Sequence, residues 1–239
     1  ETVFRKDALE RIGDCCFIAK DYKEASASYD LSLRDYFNVN DVYPYYQSAL
    51  SYGLSGNPGR KITLLENALN ADPSSQFYPE AVFELGRSYV VKGQDEDAFS
   101  CFRKLSETAR DTTFVAKAYL EMGSILRNQS QFNDALGYYK AVVEDMPMSG
   151  CSDDALAAIE SIYQTRNEPE EFLKYIESIG KGASKSEGEK EKMIFNAAEQ
   201  NYLSGSYQKA LASLQAYLDK YPAGKFANNA EFYIADSYR

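Results

Sequence analysis

A small residue followed twelve positions later by alanine recurs along the chain in a single register: Gly13 with Ala25, Gly86 with Ala98, Gly123 with Ala135, and Ala198 with Ala210. Substituted copies place Ala49 with Lys61 and Glu160 with Phe172, and Ala235 opens a further copy. The first members of these pairs follow one another at intervals of 36 to 38 residues through the 239-residue chain. Self-similarity at such a period marks a stack of like units, none of which buries its apolar face alone.

Other residues keep the same beat. Gly56, Gly93 and Gly205 stand five positions before the second member of their pairs, and a large apolar or aromatic residue stands four after it: Tyr29, Leu65, Phe102, Tyr139, Ile176 and Leu214. Pro73, Pro147 and Pro222 lie twelve after it. Within a copy the apolar spacing is helical, as in Val82, Leu85 and Tyr89, then Ala98, Phe102 and Leu105. Each unit therefore predicts two antiparallel helices. The small pair lets them cross closely, the large residue fills the gap toward the next unit, the glycine caps the first helix in a left-handed conformation, and the proline stops the second.

These residues resemble the tetratricopeptide (TPR) repeat family. The third copy carries Leu85, Gly86, Tyr89, Gly93, Ala98 and Phe102, and the second carries Gly56, Ile62, Leu65, Ala68, Leu69, Asp72 and Pro73. The resemblance spans essentially the whole chain. It implies an all-α, right-handed superhelical solenoid of antiparallel helix pairs, with six repeats and the first helix of a seventh in one domain over residues 1–239. It also implies a non-catalytic scaffold that holds a protein or peptide segment in a concave groove lined by the first helices. The run Tyr221, Pro222, Ala223, Gly224, Lys225, Phe226 and Ala227, echoed by Met146, Pro147, Asp153, Asp154 and Ala155, is similar to the repeat joins of bacterial outer-membrane assembly lipoproteins and Tol-Pal coordinator proteins. That similarity implies a periplasmic or outer-membrane-associated location. The four cysteines argue for the alternative, a cytoplasmic one, since an oxidising compartment tends to pair thiols. A start at Glu1 and a stop at Arg239 inside a helical pattern read as a fragment of a longer protein.

Composition narrows the functions. Thirty-six acidic against 26 basic side chains give a formal charge of −10, which repels phosphate backbones and makes nucleic acid an unsuitable partner. No apolar run is long enough to cross a bilayer, so no membrane insertion is expected. The chain has no histidine, which removes His-based triads, His-ligated zinc and pH sensing near neutrality. Cys15, Cys16, Cys101 and Cys151 show no C-x-x-C spacing and read as free, structural thiols, so neither a metal nor a cofactor is expected. Paired carboxylates as in glycosidases are the remaining enzymatic alternative, but acids spread along helices more often form solvated faces. Self-association of an oligomerisation module, its ends stacking on copies of themselves, is the other alternative to a scaffold.

The fifth copy breaks the pattern. Glu160 and Phe172 replace the small pair, which predicts a wider or differently angled crossing, and the polar run from Gly180 to Lys190 predicts a mobile loop. An irregular joint at 160–190 is thus expected, acting as a hinge or arising as plain divergence with local repacking. At Lys61 the aliphatic stem is expected to cover apolar surface while the ammonium reaches water.

The resemblance places particular residues in the groove. Tyr43, Tyr46, Phe83 and Leu120 form an aromatic and apolar ladder beside Arg87 and Arg127, suited to a peptide with an apolar anchor and an acidic group. The competing reading has these aromatics packing between neighbouring first helices, with the arginines solvated. The lysine and asparagine clamp of chaperone-tail-binding relatives is missing here, so a Glu-Glu-Val-Asp tail is not an expected ligand.

Overall fold

The computed structural model describes residues 2–36, 38, 41–70 and 73–238; Glu1, Asp72 and Arg239, which entered the reading above, lie outside them. The described residues form thirteen α-helices, one 3-10 turn and no strand. Repeat one is α1 (Thr2–Ile18) and α2 (Tyr22–Asp35), repeat two α3 (Val42–Leu54) and α4 (Pro58–Leu69), and repeat three α5 (Tyr78–Lys92) and α6 (Asp95–Thr108). Repeats four to six are α7 (Thr112–Asn128) with α8 (Phe132–Asp145), α9 (Ser152–Thr165) with α10 (Pro169–Ser178), and α11 (Glu187–Leu203) with α12 (Tyr207–Lys220). A single helix, α13 (Ala227–Ser237), follows. The fold is an all-α helical-repeat solenoid, with six helix pairs and a seventh first helix where the repeat register puts them. Contacts group the chain into two compact units: one runs to Tyr138 and takes in Met146–Cys151, the other comprises Tyr139–Asp145 and the residues from Ser152 on.

Steric fit at the crossings explains the small residues. A Cβ placed on Gly86 would sit 2.6 Å from Cε1 of Phe102, and one on Gly13 would sit 2.6 Å from Cε1 of Tyr29. Each glycine thus makes room for the large residue of its own repeat, whose ring is wholly buried. Ala25, Ala49, Ala98, Ala135, Ala198 and Ala210 are likewise fully buried, as are Tyr139, Ile176 and Leu214.

The turn between paired helices is also a repeated device. Gly56, Gly93 and Gly205 take the left-handed backbone expected of them, with φ between 72° and 85°. In the other three repeats the same position is filled by Lys20, Ser130 and Asn167, at φ of 63°, 61° and 59°. Asn167 is a residue that tolerates this geometry, whereas Lys20 and Ser130 meet it with a side chain that disfavours it. The hydrogen bonds agree: Gln94 N–H donates to the Tyr89 carbonyl and Gln131 N–H to that of Leu126, both at 2.9 Å.

Two irregular sites depart from expectation. The Lys61 stem crosses Gly53 on α3, where an added Cβ would lie 2.8 Å from Cδ, and its ammonium does not run out to water but pairs with Glu84 of α5 at 2.5 Å. In repeat five, Phe172 is buried at the crossing against Tyr163. There α9 and α10 approach closely over a shorter stretch than the pairs α1–α2, α3–α4, α5–α6 and α11–α12. The polar run from Gly180 is not one loop. Gly180 (φ 72°) ends α10, residues 182–184 make the 3-10 turn, and Ser186 with Glu189 forms a capping box that starts α11 at Glu187. Lys185 ties the segment back to Glu160 at 2.9 Å.

Tyrosine hydroxyls link helix to helix through carboxylates. Tyr29 on α2 and Tyr43 on α3 both donate to Oδ1 of Asp14 on α1, Tyr52 donates to Asp30 at 2.7 Å, and Tyr89 to Glu66 at 2.7 Å. In the second unit Tyr217 donates to Glu191 at 2.7 Å, Tyr202 to Asp236, and Tyr233 to Glu199 at 2.8 Å. The Tyr217 hydroxyl also accepts from Phe226 N–H at 3.1 Å. A Cβ on Gly224 would overlap the Glu191 carboxylate and that hydroxyl, which explains the glycine in the join preceding α13.

Two outcomes follow from the register. Gly86→Ala should lower unfolding free energy by about 1–3 kcal/mol, because the Phe102 ring has nowhere to go, whereas Ser130→Gly should raise it by roughly 0.5 kcal/mol by relieving the left-handed strain; urea titrations of both variants give the signs. The tyrosines predict an alkaline transition. The Asp236 hydrogen bond raises Tyr202, and burial followed by the Glu191 hydrogen bond raises Tyr217, each to about 12. Tyrosine in the unfolded chain ionises near pH 10, so this contribution is whole below pH 10 and fades as pH rises toward 12. Thermal midpoints should fall across that interval together with rising tyrosinate absorbance.

Candidate protein-binding face

The first helices α3, α5 and α7 each present a stripe in which positions separated by three or four residues share a face. On α3 the stripe holds Tyr43, Tyr46, Leu50 and Leu54, on α5 Glu80, Phe83, Arg87 and Val91, and on α7 Lys117, Leu120, Ser124 and Arg127. All lie within the first compact unit.

The six residues singled out from the sequence have different environments. Tyr43 is half-buried; its hydroxyl is committed to Asp14, and its ring lies 4.8 Å from that of Phe77 and edge-on to Tyr29. Tyr43 is thus engaged by Tyr29, Asp14 and Phe77. Tyr46 is half-buried and stacks on the other side of the contact, its ring 6.5 Å from Phe77 at an interplanar angle of 24°. Phe83 is half-buried, its ring 5.7 Å from Phe102, with the Lys117 ammonium 6.0 Å above it. Leu120 is half-buried on α7, and Arg127 is half-buried in that helix's last turn. Arg87 is exposed. Its positive charge acts on Glu121 of α7, whose carboxyl is nevertheless raised because burial outweighs it.

The structure thus gathers Tyr43 and Tyr46 around Phe77, and Phe83 with Lys117. Phe77 and Lys117 were missed by sequence reasoning. Phe77 precedes α5 and lies outside the small-residue frame, so no periodic signal marks it. Lys117 occupies in α7 the stripe position that Tyr43 occupies in α3, six before the small residue, and could have been found by extending that comparison.

Two clefts adjoin these stripes. One, of about 360 Å³, is lined by Leu50, Leu54, Lys61, Glu84, Arg87 and Val91 among others; Leu54 and Val91 are 56% and 87% exposed. The other, of about 580 Å³, is lined by residues 73–76, Pro79, Glu80, residues 108–111 and Phe114. In the second unit a third cleft of about 480 Å³ is walled by uncharged residues, among them Gln164, Asn167, Asn196 and Gln200. Among the described residues no group of three or more Cys, Asp or Glu side chains is placed to hold a metal ion, and no helix is long and apolar enough to cross a membrane.

The thiols differ sharply. Cys15 is exposed and Cys16 half-buried, whereas Cys101 and Cys151 are buried, and burial pushes the Cys101 thiol up to about 11. A maleimide reagent at pH 7.5 should label Cys15 first, and Cys101 and Cys151 only after denaturant is added; mass mapping of the labelled peptides checks the order.

Comparison with known proteins supports the fold. No protein-family model and no curated protein matches the chain. Among solved structures, MamA is similar at 20% identity over 72% of this chain and 95% of its own, with a TM-score of 0.58. PilF of Pseudomonas aeruginosa is similar at 12% identity over 93% of this chain and 95% of its own, with a TM-score of 0.57. The apo form of RapI is similar at 13% identity over 98% and 97%, with a TM-score of 0.60. All three are TPR-type helical-repeat proteins.

Proposed function

We propose that this TPR-type solenoid is a non-catalytic interaction scaffold that holds a protein or peptide segment against the first helices of repeats two to four. The observation that carries the reading is Arg87, exposed beside the half-buried ring of Phe83. Tyr46, Leu120 and Arg127 extend the same set of stripes. Partly open aromatics next to an arginine have the composition of binding hot spots, where a ring supplies contact area and a guanidinium supplies direction. Tyr43, whose hydroxyl is held by Asp14 and whose ring meets Phe77, serves as part of the floor. A lack of histidine supports the non-catalytic part of the reading.

Self-association is a second reading, favoured by Phe4 and Ile18 on α1 and by Phe232 and Tyr238 at α13, which are between 63% and 81% exposed. Sedimentation across a hundredfold concentration range separates it from the first. The location we propose is the bacterial envelope, supported by the Tyr221–Ala227 join.

The double variant Phe83→Ala with Arg87→Ala should lose about 10- to 100-fold in affinity for a partner captured by the full-length protein, with unchanged far-ultraviolet dichroism. Undiminished capture by a folded double variant rules out this face.

A further inference from the structure

α5 is flanked by two clefts of opposite charge balance. The ionisable lining of the 580 Å³ cleft is two carboxylates, Glu80 and Asp111, against one guanidinium, Arg110. Asp111 is already engaged as the N-cap of α7, accepting from Thr113 N–H at 2.8 Å. Glu80 is not so engaged at Oε2, which is shut off from solvent and has no hydrogen-bond partner. The residue as a whole is half-buried and lines the cleft, so its carboxyl can turn toward a donor arriving there, which that oxygen lacks.

The 360 Å³ cleft reverses the balance, with Lys61, Arg87 and Lys92 against Glu84 alone. Glu84 is taken by Lys61 at 2.5 Å, and Arg87 remains exposed. Between the two clefts stands Phe83. Glu80, Phe83 and Arg87 are spaced i, i+3 and i+7, so they share one stripe of α5, and seven helical residues rise about 10 Å.

We propose that the partner is an extended, dipolar peptide segment that sets a guanidinium or ammonium group at Glu80, an apolar side chain on Phe83 and a carboxylate at Arg87. The proposal rests on the reading that repeats two to four carry the binding face. An extended chain in the polyproline II conformation advances about 3.1 Å per residue and returns to the same side every third residue, so the two charges on the partner stand three residues apart on one side, with the apolar side chain between them. The arrangement explains how a chain of net charge −10 still favours a mixed-charge ligand: attraction is set locally, by each cleft against one end of the segment.

The probe is the peptide acetyl-Ala-Arg-Leu-Ala-Glu-Ala-amide, its reversed sequence, and variants with Arg, Glu or both replaced by Gln, titrated to millimolar concentration into the 15N-labelled 239-residue chain. One of the two directions should shift amide signals from Glu80 to Arg87, and replacing its Arg by Gln should weaken binding about tenfold, as expected for a charge-assisted hydrogen bond. In Glu80→Gln protein the same peptide change should have no further effect, while sensitivity to the peptide's Glu remains. Arg87→Gln should give the mirror result. Equal binding of charged and neutral peptides, an Arg dependence that survives Glu80→Gln, or no shift along α5 each overturns the proposal. If those results come while Phe83→Ala with Arg87→Ala still abolishes capture of the cellular partner, the binding face stands and the dipolar ligand falls.

Discussion

Everything in this structure depends on how closely two helices of one repeat can cross. Where Gly86 meets the Phe102 ring, and Gly13 the Tyr29 ring, the space left by a missing Cβ is filled by a buried aromatic. That contact sets the depth of the interlock and hence the place of the next helix. Elsewhere the crossing position is a fully buried alanine, as at Ala49 and Ala198, and the large residue of the repeat is a leucine, Leu65 or Leu214. When both crossing positions change, as at Glu160 and Phe172, the helices still pair, but over a shorter stretch and with a shorter second helix of ten residues.

Hydrophobic burial alone does not distinguish one rotation of a helix from a neighbouring one. The tyrosine–carboxylate links supply that distinction. Asp14 accepts from tyrosines on two different helices, and the Glu191–Tyr217 bond is continued to the backbone at Phe226. A hydrogen bond to a charged acceptor is directional and sensitive to distance, so these links fix azimuth where apolar packing fixes separation. Among the described residues at least seven of the 20 tyrosines are used in this way: a hydroxyl at the end of a packed ring reaches an acid on another helix.

The parts of the fold legible in the sequence are those in which one residue type has no substitute. Gly13 and Gly86 could be read because a ring occupies their missing side-chain space, and Gly56, Gly93 and Gly205 because they end helices at positive φ. Lys20 and Ser130 hold the same conformation but were illegible, since surrounding structure imposes it against their preference; Asn167, which tolerates it, could have been read. Lys61 was read correctly as tolerable and incorrectly as reaching water, because its partner Glu84 comes from the next repeat. The candidate face was legible as a set of stripe positions. Which of those side chains remain open was not: Tyr43 and Tyr46 look alike in sequence, yet Asp14, 29 residues away, claims the hydroxyl of one.

That difference bears on how a repeat scaffold acquires a partner. The crossing residues leave the first-helix stripes free to vary, and neighbouring stripes do differ: aromatic and apolar on α3, acidic Glu80 and basic Arg87 either side of Phe83 on α5, basic at both ends on α7. On the proposed reading, such a surface would sort ligands by local charge order rather than by net attraction, because like charges brought together by the wrong register repel. Lys117 lies above Phe83 and Phe114, which keeps a cation at this face of an acidic protein. The rigid helix pairs then do the remaining work, since a partner segment meeting a preformed set of stripes has only its own conformational freedom to lose.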